Sequence, residues 1–249
     1  MTPHCRYVLR LADTNLVLAQ RLGEWAGHAP ALEEDLGLAN VSLDLLGQAR
    51  LLLTHAGELE GRGRGEDELA YLRAESEYLN LTLVEQPNGD FGDTIVRQFL
   101  FDAWQLELYR SLAPSKDGKL AAMAAKGARE ASYHLRYSGG WLIRLGDGTE
   151  ESHARVARSL ERLWPFTNEL LDGDDVDRAI AAAGIGPAPE SLRDGWSRSV
   201  DEVLAAATLT RPAPAKFGWY GKQGRHGEQL GYLLAEMQSL HRSHPGATW

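Results

Sequence analysis

In the stretch Glu130-Ala131-Ser132-Tyr133-His134 a carboxylate and an imidazole stand four positions apart in a helical pattern. Helical bundles that carry two irons use a Glu and a His three apart, so that both project inward from one face onto the metal. Here the residue three before His134 is Ala131, and the carboxylate falls one place early. Residues four apart also share a helix face, yet Glu130 lies about 100° round the helix from Ala131.

A complete di-iron site needs a carboxylate from each of two helices and a Glu-x-x-His pair from each of the other two, because two irons require several anionic oxygens and two imidazoles. Four helix faces must therefore carry polar residues. On the second helix the candidate is Asp44, with Gly47 three places later; on the third it is Asp102, in step with Ile95, Phe99, Leu106 and Tyr109. On the fourth, Ala131 and His134 occupy the stripe, while the first offers Asn15 in step with apolar residues and Gln20 facing another way. Asp44, Asp102 and His134 alone could hardly hold two irons. The plainer reading of these three is a buried polar cluster kept satisfied by hydrogen bonds.

The helices that must position these residues are marked by apolar spacing. Leu32, Leu36, Ala39, Leu43, Leu46 and Leu53 recur at steps of four and three across residues 31–57, broken by Arg50, and predict a core-facing stripe. Val8, Leu11, Leu18, Leu22 and Trp25 give the same rhythm before it, with a turn at Gly27 to Pro30, so the first two helices form an antiparallel hairpin. A second hairpin follows, from helices over about 91–111 and 119–145, the latter marked by Leu120, Met123, Gly127, His134, Trp141 and Leu145; Pro114 and Gly118 punctuate its turn. Two hairpins joined by a crossover over roughly 58–90 predict an all-α, ferritin-like four-helix bundle with one long connection. Further helices are expected at about 151–171, 174–183, 189–208 and 228–243. No linker or composition shift divides the chain, so residues 1–249 are expected as one domain, a core bundle at about 4–145 with accessory C-terminal helices at about 151–249.

Composition narrows the function. The formal charge of −9 argues against general nucleic-acid binding, which needs a basic surface to displace counterions from phosphates. A single cysteine, Cys5, rules out an internal disulfide framework and a cysteine-based zinc cluster, and fits a reducing compartment. Arg6, Arg10 and Asp13 interrupt the N-terminal pattern where a secretory leader would be apolar, and no run reaches the roughly 18 apolar residues of a membrane span. A cytoplasmic protein that binds neither membrane nor nucleic acid is expected.

One loop departs from the acidic background. Lys216-Phe217-Gly218-Trp219-Tyr220-Gly221-Lys222-Gln223-Gly224-Arg225-His226 concentrates base, aromatic and glycine. Lys216, Lys222, Arg225 and His226 are candidates for meeting an acidic partner surface or the phosphates of coenzyme A. A surface loop pinned by Trp219 and Tyr220 would explain the same residues. Gly61-Arg62-Gly63-Arg64-Gly65 lacks the Lys-Ser/Thr ending of a phosphate-binding loop and reads as a solvated turn. Glu85-Gln86-Pro87-Asn88-Gly89-Asp90 joins turn formers to polar groups, suited either to line an interface or, as the simpler role, to direct the crossover into the third helix.

Several ordered motifs together resemble one family. Leu16-Val17-Leu18-Ala19-Gln20-Arg21-Leu22-Gly23-Glu24-Trp25, Gly27-His28-Ala29-Pro30 and Leu43-Asp44-Leu45-Leu46-Gly47-Gln48-Ala49-Arg50 carry the likeness in the first hairpin. Val84 to Phe91, Asp93-Thr94-Ile95, Phe101-Asp102-Ala103-Trp104, Tyr133-His134-Leu135-Arg136 and Leu234-Ala235-Glu236-Met237-Gln238 continue it. The chain resembles, over nearly its whole length, the C subunits of bacterial phenylacetyl-CoA epoxidases, ring-epoxidising multicomponent oxygenases of phenylacetate degradation. The resemblance implies a ferritin-like chain that has lost iron ligands and pairs with a catalytic sister subunit holding the di-iron centre. It places Asp44 where a ligand Glu would be, Gly47 where its His would be and Ala131 where a second Glu would be, while Asp102 and His134 match ligand types. It further implies a reductase subunit with flavin and an iron-sulfur cluster, fed by NADPH, and small accessory subunits, with neither catalytic residue nor cofactor in this chain. Two rival readings are an autonomous di-iron oxygenase using Asp44, Glu130, Asp102 and His134, and a helical binding module without an oxygenase role.

Overall fold

A computed structural model describes residues 1–215 and 217–247. The described residues are helical, without a β-strand; Tyr220 and Arg225 form one isolated antiparallel bridge. In chain order the α-helices are α1 (Pro3–Gly23), α2 (Leu32–Glu60), α3 (Glu66–Tyr71), α4 (Thr82–Glu85), α5 (Phe91–Leu112), α6 (Gly118–Gly146), α7 (Glu150–Leu163), α8 (Asn168–Leu171), α9 (Asp175–Ala183), α10 (Arg193–Ala206) and α11 (Glu228–Ser243). Most of the predicted helices form, with ends within a few residues of expectation. The helix expected over 151–171 breaks at Trp164-Pro165, because proline has no N–H to continue the ladder. The chain folds as two compact units: Met1–Gln86 with the chain from Tyr220 onward, and Pro87–Trp219.

In the first unit α1 and α2 pack as a hairpin. Thr2 caps α1 by accepting from the Cys5 N–H at 3.2 Å, and Gly61, at φ +68°, ends α2 in the left-handed conformation that glycine adopts without penalty. Buried residues surround α1, and several of its buried polar groups are matched, as desolvation demands. Asp13 forms an ion pair with Arg73 and also accepts from the Leu79 N–H at 2.9 Å. Asn15, expected inside, is inside and donates to Gln48 at 3.1 Å. Gly61 to Gly65 is the expected turn, with Arg64 paired to Glu60 along one side.

The core-facing stripe of α2 differs from expectation. Leu38, Val41, Leu45, Ala49, Leu52, Leu53 and Ala56 face the interior, whereas Leu32, Leu36, Leu43 and Leu46 are 72%, 57%, 64% and 36% exposed. Of the leucines in the predicted stripe only Leu53 is buried. The helix carries two apolar faces, and periodicity alone does not say which one meets α1. By length and composition α2 is also apolar enough to cross a membrane, and 39% of the qualifying window is buried within the fold.

In the second unit α5 and α6 form the other hairpin, with α7 and α10 against it. The Asp90 side chain caps α5 by accepting from the Asp93 N–H at 3.0 Å, and Asp93 returns the bond to the Asp90 N–H at 3.0 Å. Asp93 also ties α7 down through Arg162, at 2.7 Å, and Ser159. The Asn88-Gly89-Asp90 turn is thus a helix start, as read from its composition. Along α6, Leu120, Met123, Gly127, Ala131 and His134 are buried as predicted, whereas Trp141 and Leu145 of the same predicted stripe are partly exposed. At its end a Cβ on Gly146 would lie 2.3 Å from the Ala207 carbonyl oxygen, a close approach only glycine permits. Indole N–H groups tie further elements to α5: Trp196 donates to the Leu100 carbonyl at 3.1 Å, and Trp104 to that of Leu170 at 2.9 Å.

Candidate functional site

Of the candidate iron-binding residues, Asp102 has the most unusual surroundings. Its position on α5 is one an apolar residue would take, and it has no exposed surface. Gln98, one turn earlier, donates to Oδ1 at 2.6 Å, and Ser138 on α6 lies 2.7 Å from Oδ2. The Ser138 hydroxyl also donates to the His134 carbonyl at 3.0 Å. A hydroxyl has one proton and cannot serve both acceptors at once. If Asp102 is protonated, both contacts are made: the carboxylic acid donates to Ser138 Oγ, and Ser138 donates to His134. Burial pushes the Asp102 acid up to about 8, against the lowering effect of the two hydrogen bonds. Burial and the single Ser138 proton both favour the neutral form of Asp102 at pH 7.

His134 is likewise fully buried, and Ala131 presents only a methyl group on the same helix. Glu130 leaves that face and pairs with Lys126 at 3.3 Å. In the first unit Asp44 is partly exposed, and a Cβ on Gly47 would meet nothing within 4 Å. Within the second unit, an Asp102 engaged through both oxygens and a methyl group at Ala131 leave few donors for a pair of irons. Ser138 and Gln98 escaped the sequence reading, yet each stands four residues from a named position, Ser138 from His134 and Gln98 from Asp102. That spacing could have found them.

The basic loop divides. Lys216 lies outside the described residues. Lys222 is partly exposed and gives its carbonyl to Arg10 Nε at 3.0 Å, while Arg225 is exposed with its guanidinium 5.6 Å from the Tyr220 ring centre. His226 is not on that surface: its side chain is 1% exposed and 2.6 Å from Glu85. Glu85 also accepts from Asn80 at 2.9 Å and from the Gly227 N–H at 2.9 Å. Nε2 of His226 faces the Tyr78 carbonyl at 2.8 Å, which can only accept. Three donors around the carboxylate and acceptors at both imidazole nitrogens describe a buried ion pair. Burial works against the His226 charge, but Glu85 outweighs it and the imidazole is raised. Burial raises Glu85, and the donors around it offset only part of that rise. The sequence hinted at this pair only through the polar run beginning at Glu85, since its partner lies 141 residues away.

Elsewhere Cys5 is buried and its thiol is pushed up by burial, which leaves it a packing residue.

Comparison with known proteins agrees with the motifs. A family described as "Phenylacetic acid catabolic protein" matches residues 1–249. The chain is 52% identical over 243 residues to the C subunit of the 1,2-phenylacetyl-CoA epoxidase of Escherichia coli (strain K12), covering 98% of each chain. An all-helical chain built on two long hairpins, matched along its whole length, thus belongs to the phenylacetic acid catabolic protein family.

Proposed function

We propose that this chain is the non-catalytic structural subunit of a multicomponent di-iron oxygenase that epoxidises the ring of phenylacetyl-CoA. It pairs with the sister subunit that carries the iron, and works with a reductase and small accessory subunits in phenylacetate breakdown. The reductase brings electrons from NADPH through flavin and an iron-sulfur cluster. The two hairpins belong to one ferritin-like four-helix domain, in the cytoplasm, where coenzyme A thioesters are held. The observation that carries the reading is the donor set itself. Ala131 and Gly47 supply no ligand atom, and Asp102, which burial shifts toward the neutral acid, is engaged by Ser138 and Gln98. The relative's description as a subunit supports membership of an assembly.

What this chain contributes is shape and stability. Of its polar residues at the degenerate positions, Asp102 stays hydrogen-bonded in the interior instead of binding metal, while Asp44 is partly exposed. Co-expression with the sister subunit, followed by iron analysis and an epoxidation assay on phenylacetyl-CoA with and without this chain, tests the proposal. The expected result is a stable complex with iron in the sister only, and activity that depends on both. About two irons in the isolated chain with O2-dependent activity, or failure of the complex to form, would overturn it.

A further inference from the structure

At the end of the first hairpin opposite its turn, two histidines meet across the helices. His4 stands in the first turn of α1 and His55 near the end of α2, while the connection between the helices lies at the other end. Beside them the Cys5 thiol is 3.6 Å from the Ala56 carbonyl, which marks the helices as neighbours at this level. The imidazole centres are 6.0 Å apart with planes at 80°, so the rings meet edge to face instead of stacking. A ring nitrogen of one lies within 4.8 Å of a ring nitrogen of the other. Two imidazoles on one tetrahedral zinc bring their nitrogens to about 3.3 Å, given Zn–N bonds of about 2.05 Å. A modest turn about the side-chain torsions closes the difference, since both residues are partly exposed.

Glu58 supplies the support that a metal-bound histidine needs. Its Oε2 lies 3.4 Å from Nδ1 of His55. A carboxylate accepts, so Nδ1 carries the proton there and the Nε2 lone pair is left to bind a cation. Histidine ligands in proteins characteristically have their second nitrogen held in this way, which fixes the ring and makes it a stronger ligand. Two imidazoles with a carboxylate behind one of them suit a borderline divalent ion such as zinc or copper, whereas hard magnesium and calcium prefer oxygen. Cys5 is not a further ligand, because its thiol is buried and pushed up by that burial.

We infer that His4 and His55 form a binding site for a divalent transition-metal ion, zinc foremost, that staples the open end of the α1–α2 hairpin. Neither residue belongs to the iron-ligand pattern, and the site needs no part of the oxygenase reading. Two protein ligands leave the other positions of the ion to water, so binding is weaker than at a four-ligand structural site. The gain is mechanical: an ion that binds the folded hairpin in preference to the open chain stabilises it by mass action.

The test uses the full chain without a histidine tag, freed of metal by chelation and titrated with zinc sulfate alone in a calorimeter. The wild type should bind a zinc ion that His4→Ala and His55→Ala each fail to bind over the same range. His28→Ala, at an exposed histidine elsewhere in the first unit, is the control and should bind as the wild type does. Glu58→Ala should weaken binding about tenfold by loosening the His55 ring. Zinc should raise the melting temperature of the wild type and of His28→Ala and leave that of His4→Ala unchanged. With copper(II) as the probe, paramagnetic resonance should show two coordinated imidazoles in the wild type and at most one in either variant. Zinc binding that survives the histidine substitutions would place the ion elsewhere and overturn the inference, as would a single imidazole on copper in the wild-type chain. Binding without a rise in melting temperature would overturn the staple, and an unaltered affinity in Glu58→Ala would strike out the part given to Glu58. If His55→Ala failed to fold, His55→Gln would take its place, read by the same criteria.

Discussion

Asp102→Asn should stabilise this protein at neutral and alkaline pH, although it replaces a fully buried residue. Asparagine reproduces the layout of the protonated acid: its carbonyl accepts from Gln98 and its amide donates to Ser138, which then keeps its bond to the His134 carbonyl. The wild-type acid must hold a proton that the unfolded chain releases. Its ordinary value of 3.8 rises to about 8 in the fold. Below 3.8 both states are protonated and the difference has no effect. Between 3.8 and 8 the unfolded chain gains stability by ionising, about 1.4 kcal/mol for each pH unit, and above 8 the folded acid ionises too and the loss stops growing. At pH 7 the wild type thus gives up about 4 kcal/mol as an upper bound, and relaxation around the site should reduce this to about 2 kcal/mol. Urea unfolding of both proteins at pH 4, 5.5, 7 and 8.5, with the slope of the transition held in common, measures the gap directly. It should be near zero at pH 4, widen steadily and level off above 8. A gap that does not change with pH, or an Asn variant less stable at pH 8.5, would refute the claim that Asp102 is a neutral hydrogen-bonding group.

His226→Ala should leave Glu85 as a buried charge without its cation and cost about 3 kcal/mol; hydrogen exchange should rise first at the Gly227 N–H, which the same carboxylate accepts from. Gly146→Ala would force a Cβ to within 2.3 Å of the Ala207 carbonyl oxygen, and should lower stability by about 2 kcal/mol in urea unfolding. Cys5 should react with a thiol reagent such as Ellman's only as fast as the protein unfolds, because it is buried and its thiol raised by that burial; rapid labelling of the native chain would contradict this packing.

The helices were legible because their signals are local. Asp90 and Asp93 cap α5 three residues apart, Thr2 and Pro3 open α1, and Gly61 closes α2, each within one turn of the element it defines. Asp102 was legible as well, since a carboxylate in step with Ile95 and Phe99 is out of place unless something surrounds it. What surrounds it was harder to see, because Ser138 comes from the other arm of the hairpin. The orientation of α2 was misread for a different reason. Both of its faces carry leucine, and the energy that selects one comes from the shape of α1, which is not written in the local sequence of α2. The His226 and Glu85 pair was barely hinted at because neither residue implies the other across 141 positions of chain. Spacing reports helices well; it reports the meeting of distant loops poorly.

The first unit is finished by the last part of the chain. Leu230, Leu233, Leu234 and Gln238 of α11 are buried in it, and Gln238 donates to the carbonyls of Ala70 and Arg73 at 3.1 and 3.2 Å. During synthesis, residues Pro87–Trp219 therefore leave the ribosome with all of their own unit present, whereas α1 and α2 emerge first and wait longest for their missing helix. Translation that stops short near residue 220 would release a product whose beginning, not its end, is the damaged part. A cell would then recognise an incomplete molecule by apolar surface exposed near its N-terminus, and a chaperone or partner that covers that surface would act on the earliest-made segment.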